Sequence, residues 1–130
     1  MQVGYAYVVA DILHIGHLLH LENCRSFCDK LVVGVLTDEA AMEKKPRPTM
    51  PFQDRLRLVS ALQCVDMAVA QKKYIPLDNL LEIKPDILFE STDHEVRQYP
   101  EFSGRVIVVP RYPHPLKSST EIKEKIRRAQ

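Results

Sequence analysis

A charge imbalance is missing from this chain: 18 lysines and arginines face 17 aspartates and glutamates across 130 residues, a formal net charge of +1. A surface that holds nucleic acid normally needs a marked basic excess, so no nucleic-acid partner is expected. Also missing is any apolar run near the ~20 residues that cross a bilayer, so no membrane span is expected. No basic stretch followed by an apolar one opens the sequence, and a secretory signal is not expected either. Cysteines number only three. An odd count without a signal points away from a disulfide framework and toward a reducing, cytoplasmic setting. Cys24 and Cys28, four apart on an expected helix, read as small apolar filling rather than a redox or metal pair. There is no internal repeat and no low-complexity tract.

What remains is the composition of an ordinary globular chain, 45% apolar and 27% charged, of a length that suits one domain over residues 1–130. Residues 3–10 form an almost continuous apolar run, as a strand buried on both faces does. An amphipathic stretch follows at about 16–27. A second apolar run at 31–36 leads through Thr37-Asp38, a turn or helix cap, into a short helical piece ending at Met42. The three prolines and three cations of residues 44–51 make a stiff loop. Pro51 stands where a helix begins, and Phe52, Leu56, Val59 and Leu62 give that helix its apolar face. Further strands are expected at 66–70, 87–89 and 106–109, with a short helix from Pro76 to Ile83 between the first two. A basic helix after Ser118-Ser119-Thr120 closes the chain, and its cations at 123–128 read as a solvated helix end.

Five strands alternating with helices predict an α/β fold: a single doubly wound, five-stranded parallel sheet. Ligands of such sheets bind beyond the carboxyl ends of the strands, near the point where strand order reverses. His14, Thr37, the stretch from Glu90 to His94, and Arg111 all follow strand ends, so they share one rim.

His14-Ile15-Gly16-His17 sits at the junction of the first strand and the first helix. Free N–H groups and the positive end of the helix dipole attract anions there. Gly16 lets a large anion approach the backbone. On a helix, residues three apart share a face, so both imidazoles can address one ligand. A zinc site from His14, His17 and His20 is excluded by rotation, since His20 is turned well away from His14 at about 100° per residue. These residues read as a nucleoside triphosphate site.

Asp11-Ile12-Leu13-His14-Ile15-Gly16-His17 resembles the signature of the nucleotidyltransferase superfamily, Gly-x-Phe-Asp-x-x-His-x-Gly-His. The nearest members are small cytidylyltransferases of the glycerol-3-phosphate cytidylyltransferase type. The resemblance implies a Rossmann-like nucleotidyltransferase fold, transfer of a nucleoside monophosphate with release of pyrophosphate, Mg²⁺ accompanying the triphosphate, and a homodimer. It makes His14 and His17 the groups that stabilise charge on the triphosphate during transfer. Asp11, matching the motif's aspartate, would orient the loop, help place Mg²⁺, or cap the turn. Val8, Val9 and Ala10 occupy the nucleotide-binding positions where relatives carry Gly, a small residue and Phe.

Further matches run along the chain. Lys44-Lys45-Pro46-Arg47-Pro48 resembles a lysine-rich loop of the family, and Pro51-Phe52-Gln53-Asp54-Arg55 its Pro-Phe-x-x-Arg. Lys44 or Lys45 would neutralise the acceptor anion or the α-phosphate. Arg55 would clamp a phosphate of the acceptor, or pair with Asp54 or Glu43. Asp38 is assigned to the acceptor side as well. Cys64-Val65-Asp66 resembles a segment that lies near the dimer contact in relatives. Asp93 matches the aspartate of a Gly-Gly-Asp element near the nucleoside, with Ser91 and Thr92 replacing the glycines. Arg111 and Ser118-Ser119-Thr120 match a nucleotide-binding element, the hydroxyls standing at a helix start suited to β- and γ-phosphates. The expected activity is CMP transfer from CTP to a small phosphorylated or phosphonylated alcohol. ATP as donor, and a binding module without turnover, are the alternatives.

Overall fold

The computed structural model describes residues 1–92 and 97–110. In chain order the elements are β1 (Val3–Val8), α1 (Ile15–Arg25), β2 (Lys30–Leu36), α2 (Asp38–Met42), α3 (Phe52–Ser60), β3 (Met67–Gln71), α4 (Leu77–Ile83), β4 (Ile87–Ser91) and β5 (Arg105–Val109). The strands form one sheet in the order β3-β2-β1-β4-β5, and every pairing is parallel. The chain winds outward from β1 to β3 and then returns to place β4 on the other side of β1. Strand order therefore reverses between β1 and β4, which opens a crevice at their carboxyl ends.

The doubly wound α/β sheet expected from the sequence is the fold observed. Alternation along the strands decides which helix covers which face. On one face Ala6, Val33, Val35, Ile87 and Phe89 pack with Leu21 and Cys24 of α1 and Val59 of α3. On the other, Tyr5, Val32 and Leu88 pack with Leu80 of α4, flanked by Tyr99 and Phe102. Leu36 meets Ala40 and Ala41 of α2 beside Tyr7, Val9 and Tyr74. Each aliphatic side chain wholly withdrawn here contributes about 1.5–3 kcal/mol. Among the described residues, no helix is long and apolar enough to cross a membrane.

Two boundaries beside the histidines differ from the sequence reading, and β4 runs two residues further, to Ser91. The first strand ends at Val8 rather than residue 10, because Ala10 adopts φ 58° and turns the chain out of the sheet. The first helix begins at Ile15, with His14 as its extended cap at φ −142°. The thiols behave as filling: none is paired, and burial pushes Cys24 up to about 12 and raises Cys28 and Cys64.

One polar network lies inside the second face. The Tyr5 hydroxyl donates to Gln71 Oε1 at 2.5 Å and accepts from Asn79 Nδ2 at 2.9 Å. Gln71 Nε2 in turn donates to the carbonyls of Lys73 and Tyr74, both at 3.1 Å, and so fixes the loop after β3. Gly34 makes room for this arrangement, since a Cβ there would sit 1.9 Å from the Tyr5 hydroxyl oxygen.

Candidate active site

The turn after β1 is the most strained backbone among the described residues. Ala10 and Ile12 both take left-handed conformations, with φ of 58° and 54°. For a β-branched residue that is an outlier, costing on the order of 1–3 kcal/mol. Such strain persists only where the surroundings hold it. Here Asp11, between the two, is 5% exposed and accepts backbone N–H groups on both carboxylate oxygens: Thr49 at 2.8 Å and Met50 at 2.9 Å.

Arg55 completes the lacing. Its guanidinium is fully buried and donates to the carbonyls of Val9 (2.7 Å), Leu36 (2.7 Å) and Met50 (3.0 Å), and to Asp38 Oδ1 at 2.5 Å. One side chain thus ties the end of β1, the end of β2, the proline-rich loop and the start of α2 together. Arg47 adds a longer contact to Asp38 at 3.9 Å. The expectation that Arg55 and Asp38 hold the acceptor is corrected: each neutralises the other, and the arginine's donors go to internal carbonyls. Its partner is Asp38, not Asp54 or Glu43.

Against this frame, the two histidines form a reciprocal cap on α1. His14 Nδ1 accepts the Gly16 N–H at 2.9 Å, and His17 Nδ1 accepts the His14 N–H at 3.2 Å. The ring centroids are 4.1 Å apart. A backbone N–H can only donate, so each Nδ1 presents its lone pair and each neutral ring carries its proton on Nε2. Burial, then the nearby His14, His20 and Lys45, lower the pKa of His17 to about 3, against a raising effect of Asp11. His17 is therefore neutral at physiological pH. The pair shares a side of the turn as expected, through capping rather than as two residues of one helix.

The proline-rich loop brings its lysines to different places. Lys45 lies near enough to His17 for its charge to depress that imidazole. The Lys44 ammonium stands 5.8 Å from the centre of the Tyr74 ring. Thr37, expected as a turn or cap residue, caps α2 by accepting the Ala40 N–H at 3.2 Å.

Val8, Val9 and Ala10, expected at nucleotide-binding positions, are built into the end of β1 and the turn that follows it. Val8 pairs in register with Val35, Val9 packs on α2, and Ala10 is buried. Asp93, Arg111, Ser118, Ser119 and Thr120 lie outside the described residues. Asp11 does not fit the role of metal ligand: it is buried and both its oxygens serve the proline-rich loop. Among the described residues no group of three or more His, Cys, Asp or Glu could hold a metal ion.

This Rossmann-like parallel sheet has counterparts among known proteins. The family model described as cytidylyltransferase-like matches residues 7–125. The chain belongs to that family. An FAD synthase of Methanothrix thermoacetophila is 40% identical over 125 residues, covering 89% of this chain and 87% of the relative. The bifunctional protein HldE of Acidiphilium cryptum is 33% identical over 115 residues, covering 82% of this chain but 24% of that protein. This chain thus spans most of the FAD synthase and about a quarter of HldE. Among solved structures, a lipopolysaccharide core biosynthesis protein from Thermoplasma volcanium has a TM-score of 0.80 at 27% identity, covering 87% of this chain and 99% of that one. A pantoate-beta-alanine ligase from Francisella tularensis, at 15% identity and a TM-score of 0.59, shares the fold. The comparisons support nucleotidyl transfer as the chemistry of this family member, without selecting CTP.

Sequence reasoning missed the strained pair Ala10 and Ile12 and the burial of Glu90. No periodicity signals either. A left-handed alanine leaves no mark in an apolar run, and Glu90 stands among polar residues that read as loop.

Proposed function

We propose that this chain transfers a nucleoside monophosphate from a nucleoside triphosphate to an ionised oxygen of a small phosphorylated or phosphonylated alcohol. ATP is the first donor to test. The observation that carries the reading is the His14–His17 pair, with both Nδ1 atoms occupied and both Nε2–H groups fixed as donors. Donors fixed before the reaction need no reorganisation as charge develops, which is usually the largest catalytic term.

In the step proposed, an acceptor oxygen attacks the α-phosphorus and forms a new P–O bond. The bond from that phosphorus to the bridging oxygen breaks, and pyrophosphate leaves with the electron pair. The attacking oxygen is already ionised at neutral pH, so no general base is required. The imidazole N–H groups meet the charge on the triphosphate, and Lys45, beside them, neutralises the acceptor or the α-phosphate.

ATP displaces CTP as first choice because the product that gives the FAD synthase relatives their name carries an adenylate. CTP stays as a second reading, favoured by the description of the matching family and by the lysine-rich loop. The test incubates the protein with MgATP or MgCTP and each of FMN, a sugar 1-phosphate, glycerol 3-phosphate and 2-hydroxyethylphosphonate, and measures pyrophosphate. Release with one donor–acceptor pair is expected. Tight nucleotide binding without release across the panel would favour a binding module instead.

A further inference from the structure

Two loops leave the carboxyl ends of neighbouring strands: residues 43–51, after β2 and the short α2, and residues 72–76, after β3. They meet at Tyr74, which two consecutive residues of the first loop grip from different sides. Glu43 Oε2 accepts the Tyr74 N–H at 3.0 Å. The Lys44 ammonium stands 5.8 Å from the centre of the Tyr74 ring, within the range of a cation–π contact. Tyr74 is itself held in place. Its carbonyl accepts from Nε2 of the buried Gln71 at 3.1 Å, and its ring packs beside Leu36, Ala40 and Ala41.

This grip decides where the next side chain goes. The N–H groups of Lys44 and Lys45 both donate to the Ala41 carbonyl, at 3.2 and 3.0 Å, so the last turn of α2 runs on through the two lysines. Neighbouring residues of such a turn project about 100° apart. With Lys44 laid on Tyr74, Lys45 projects elsewhere. Its charge joins burial and the rings of His14 and His20 in lowering the pKa of His17. Further on, Asp11 takes the Thr49 and Met50 N–H groups. The lysine-rich loop is thus pinned by Tyr74 at one end and by Asp11 at the other, with Lys44 committed to a ring and Lys45 acting on the histidine turn.

We propose that Tyr74 is a positioning residue for nucleotidyl transfer: by holding Lys44 on its ring, it fixes the turn that aims Lys45 at the anions bound beside the histidines. The proposal rests on the nucleotidyl-transfer reading and divides the work of the two lysines. Lys45 is the contact residue, and Lys44 is the clasp that sets its direction.

The test measures binding by calorimetry, first of magnesium α,β-methylene-ATP and then of glycerol 3-phosphate to that complex. Salt is kept at about 0.15 M, where charges more than ~8 Å apart are largely screened. Lys45→Met should weaken at least one of the two probes by about tenfold, the scale of one hydrogen bond to a charged group. Lys44→Met and Tyr74→Leu should each weaken the same probe by about two- to fivefold, the scale of an exposed cation–π contact. Tyr74→Phe keeps the ring and should bind as the wild type does. In the Lys45→Met background, neither Lys44→Met nor Tyr74→Leu should cost anything further, because both act through Lys45. Should Tyr74→Leu fold poorly, Lys44→Met carries the same test, since Lys44 is exposed. A side chain that merely supports the fold would give the same loss in both backgrounds, and that result overturns the proposal. So do unchanged binding of both probes by Lys45→Met, a larger loss in Lys44→Met than in Lys45→Met, and a Tyr74→Phe protein as weak as Tyr74→Leu. Absence of pyrophosphate release in the acceptor panel strikes the proposed reaction alone, since these affinities are read without turnover.

Discussion

The guanidinium of Arg55, withdrawn completely from water, meets Asp38 at 2.5 Å and three backbone carbonyls at 2.7–3.0 Å. This charge belongs to the scaffold that carries the histidines. Removing one partner of a buried pair leaves the other uncompensated, at a cost of about 3–5 kcal/mol. Arg55→Met should therefore lower the urea-derived unfolding free energy by that amount. Arg55→Lys should recover little of it, because one ammonium cannot serve four acceptors spread across a planar fork. Wild-type stability in Arg55→Lys would count against the brace.

His17 links stability to pH. Its pKa is about 3 in the folded chain and about 6.5 when unfolded. Between those values the unfolded state binds more protons, so stability rises with pH. The contribution is complete above the unfolded pKa and is lost as pH falls toward the folded one. The slope attributable to this residue is about 1.4 kcal/mol per pH unit. Urea midpoints measured from pH 7 to pH 4 should therefore fall more steeply for the wild type than for His17→Gln. Parallel curves would show that the imidazole is not buried as described.

Ala10 tests the strained turn. A β-branched side chain at φ 58° and 1% exposure has neither the conformation nor the space it needs. Ala10→Val should cost about 1–3 kcal/mol. Ala10→Gly trades relief of strain against a looser unfolded chain and should stay within about 1 kcal/mol of the wild type. Thermal denaturation of the two variants separates them.

Gly34 tests the inner network. A Cβ there would lie 1.9 Å from the Tyr5 hydroxyl and 2.8 Å from Gln71 Oε1. Gly34→Ala should lose about 1–3 kcal/mol. Adding Tyr5→Phe should cost less than the two single losses summed, because the hydroxyl that clashes is gone. Strict additivity in that double-mutant cycle would contradict the contact.

Much of this fold is legible in the sequence because its signals are local. The apolar runs of β1 and β2, the proline opening α3 and the periodic face of Phe52, Leu56 and Val59 each announce an element without knowledge of the others. The site was legible only in part. Two histidines around Gly16 mark a strand-to-helix turn, and their spacing of three suits the reciprocal cap that fixes their tautomers. Arg55 was misread because a cation three residues into an amphipathic helix gives no hint that three carbonyls from residues 9, 36 and 50 converge on it. Glu90 and Tyr7 stayed hidden for the same reason: their bond spans 83 residues and exists only once β4 has paired with β1.

Pyrophosphate release by His17→Ala, measured beside the wild type with MgATP and the best acceptor of the panel, tests the central claim most directly. If the Nε2–H groups of the histidine pair stabilise charge on the triphosphate, turnover should fall by at least about a hundredfold, the scale of losing one such donor. Turnover near the wild-type rate in a folded His17→Ala protein would contradict it.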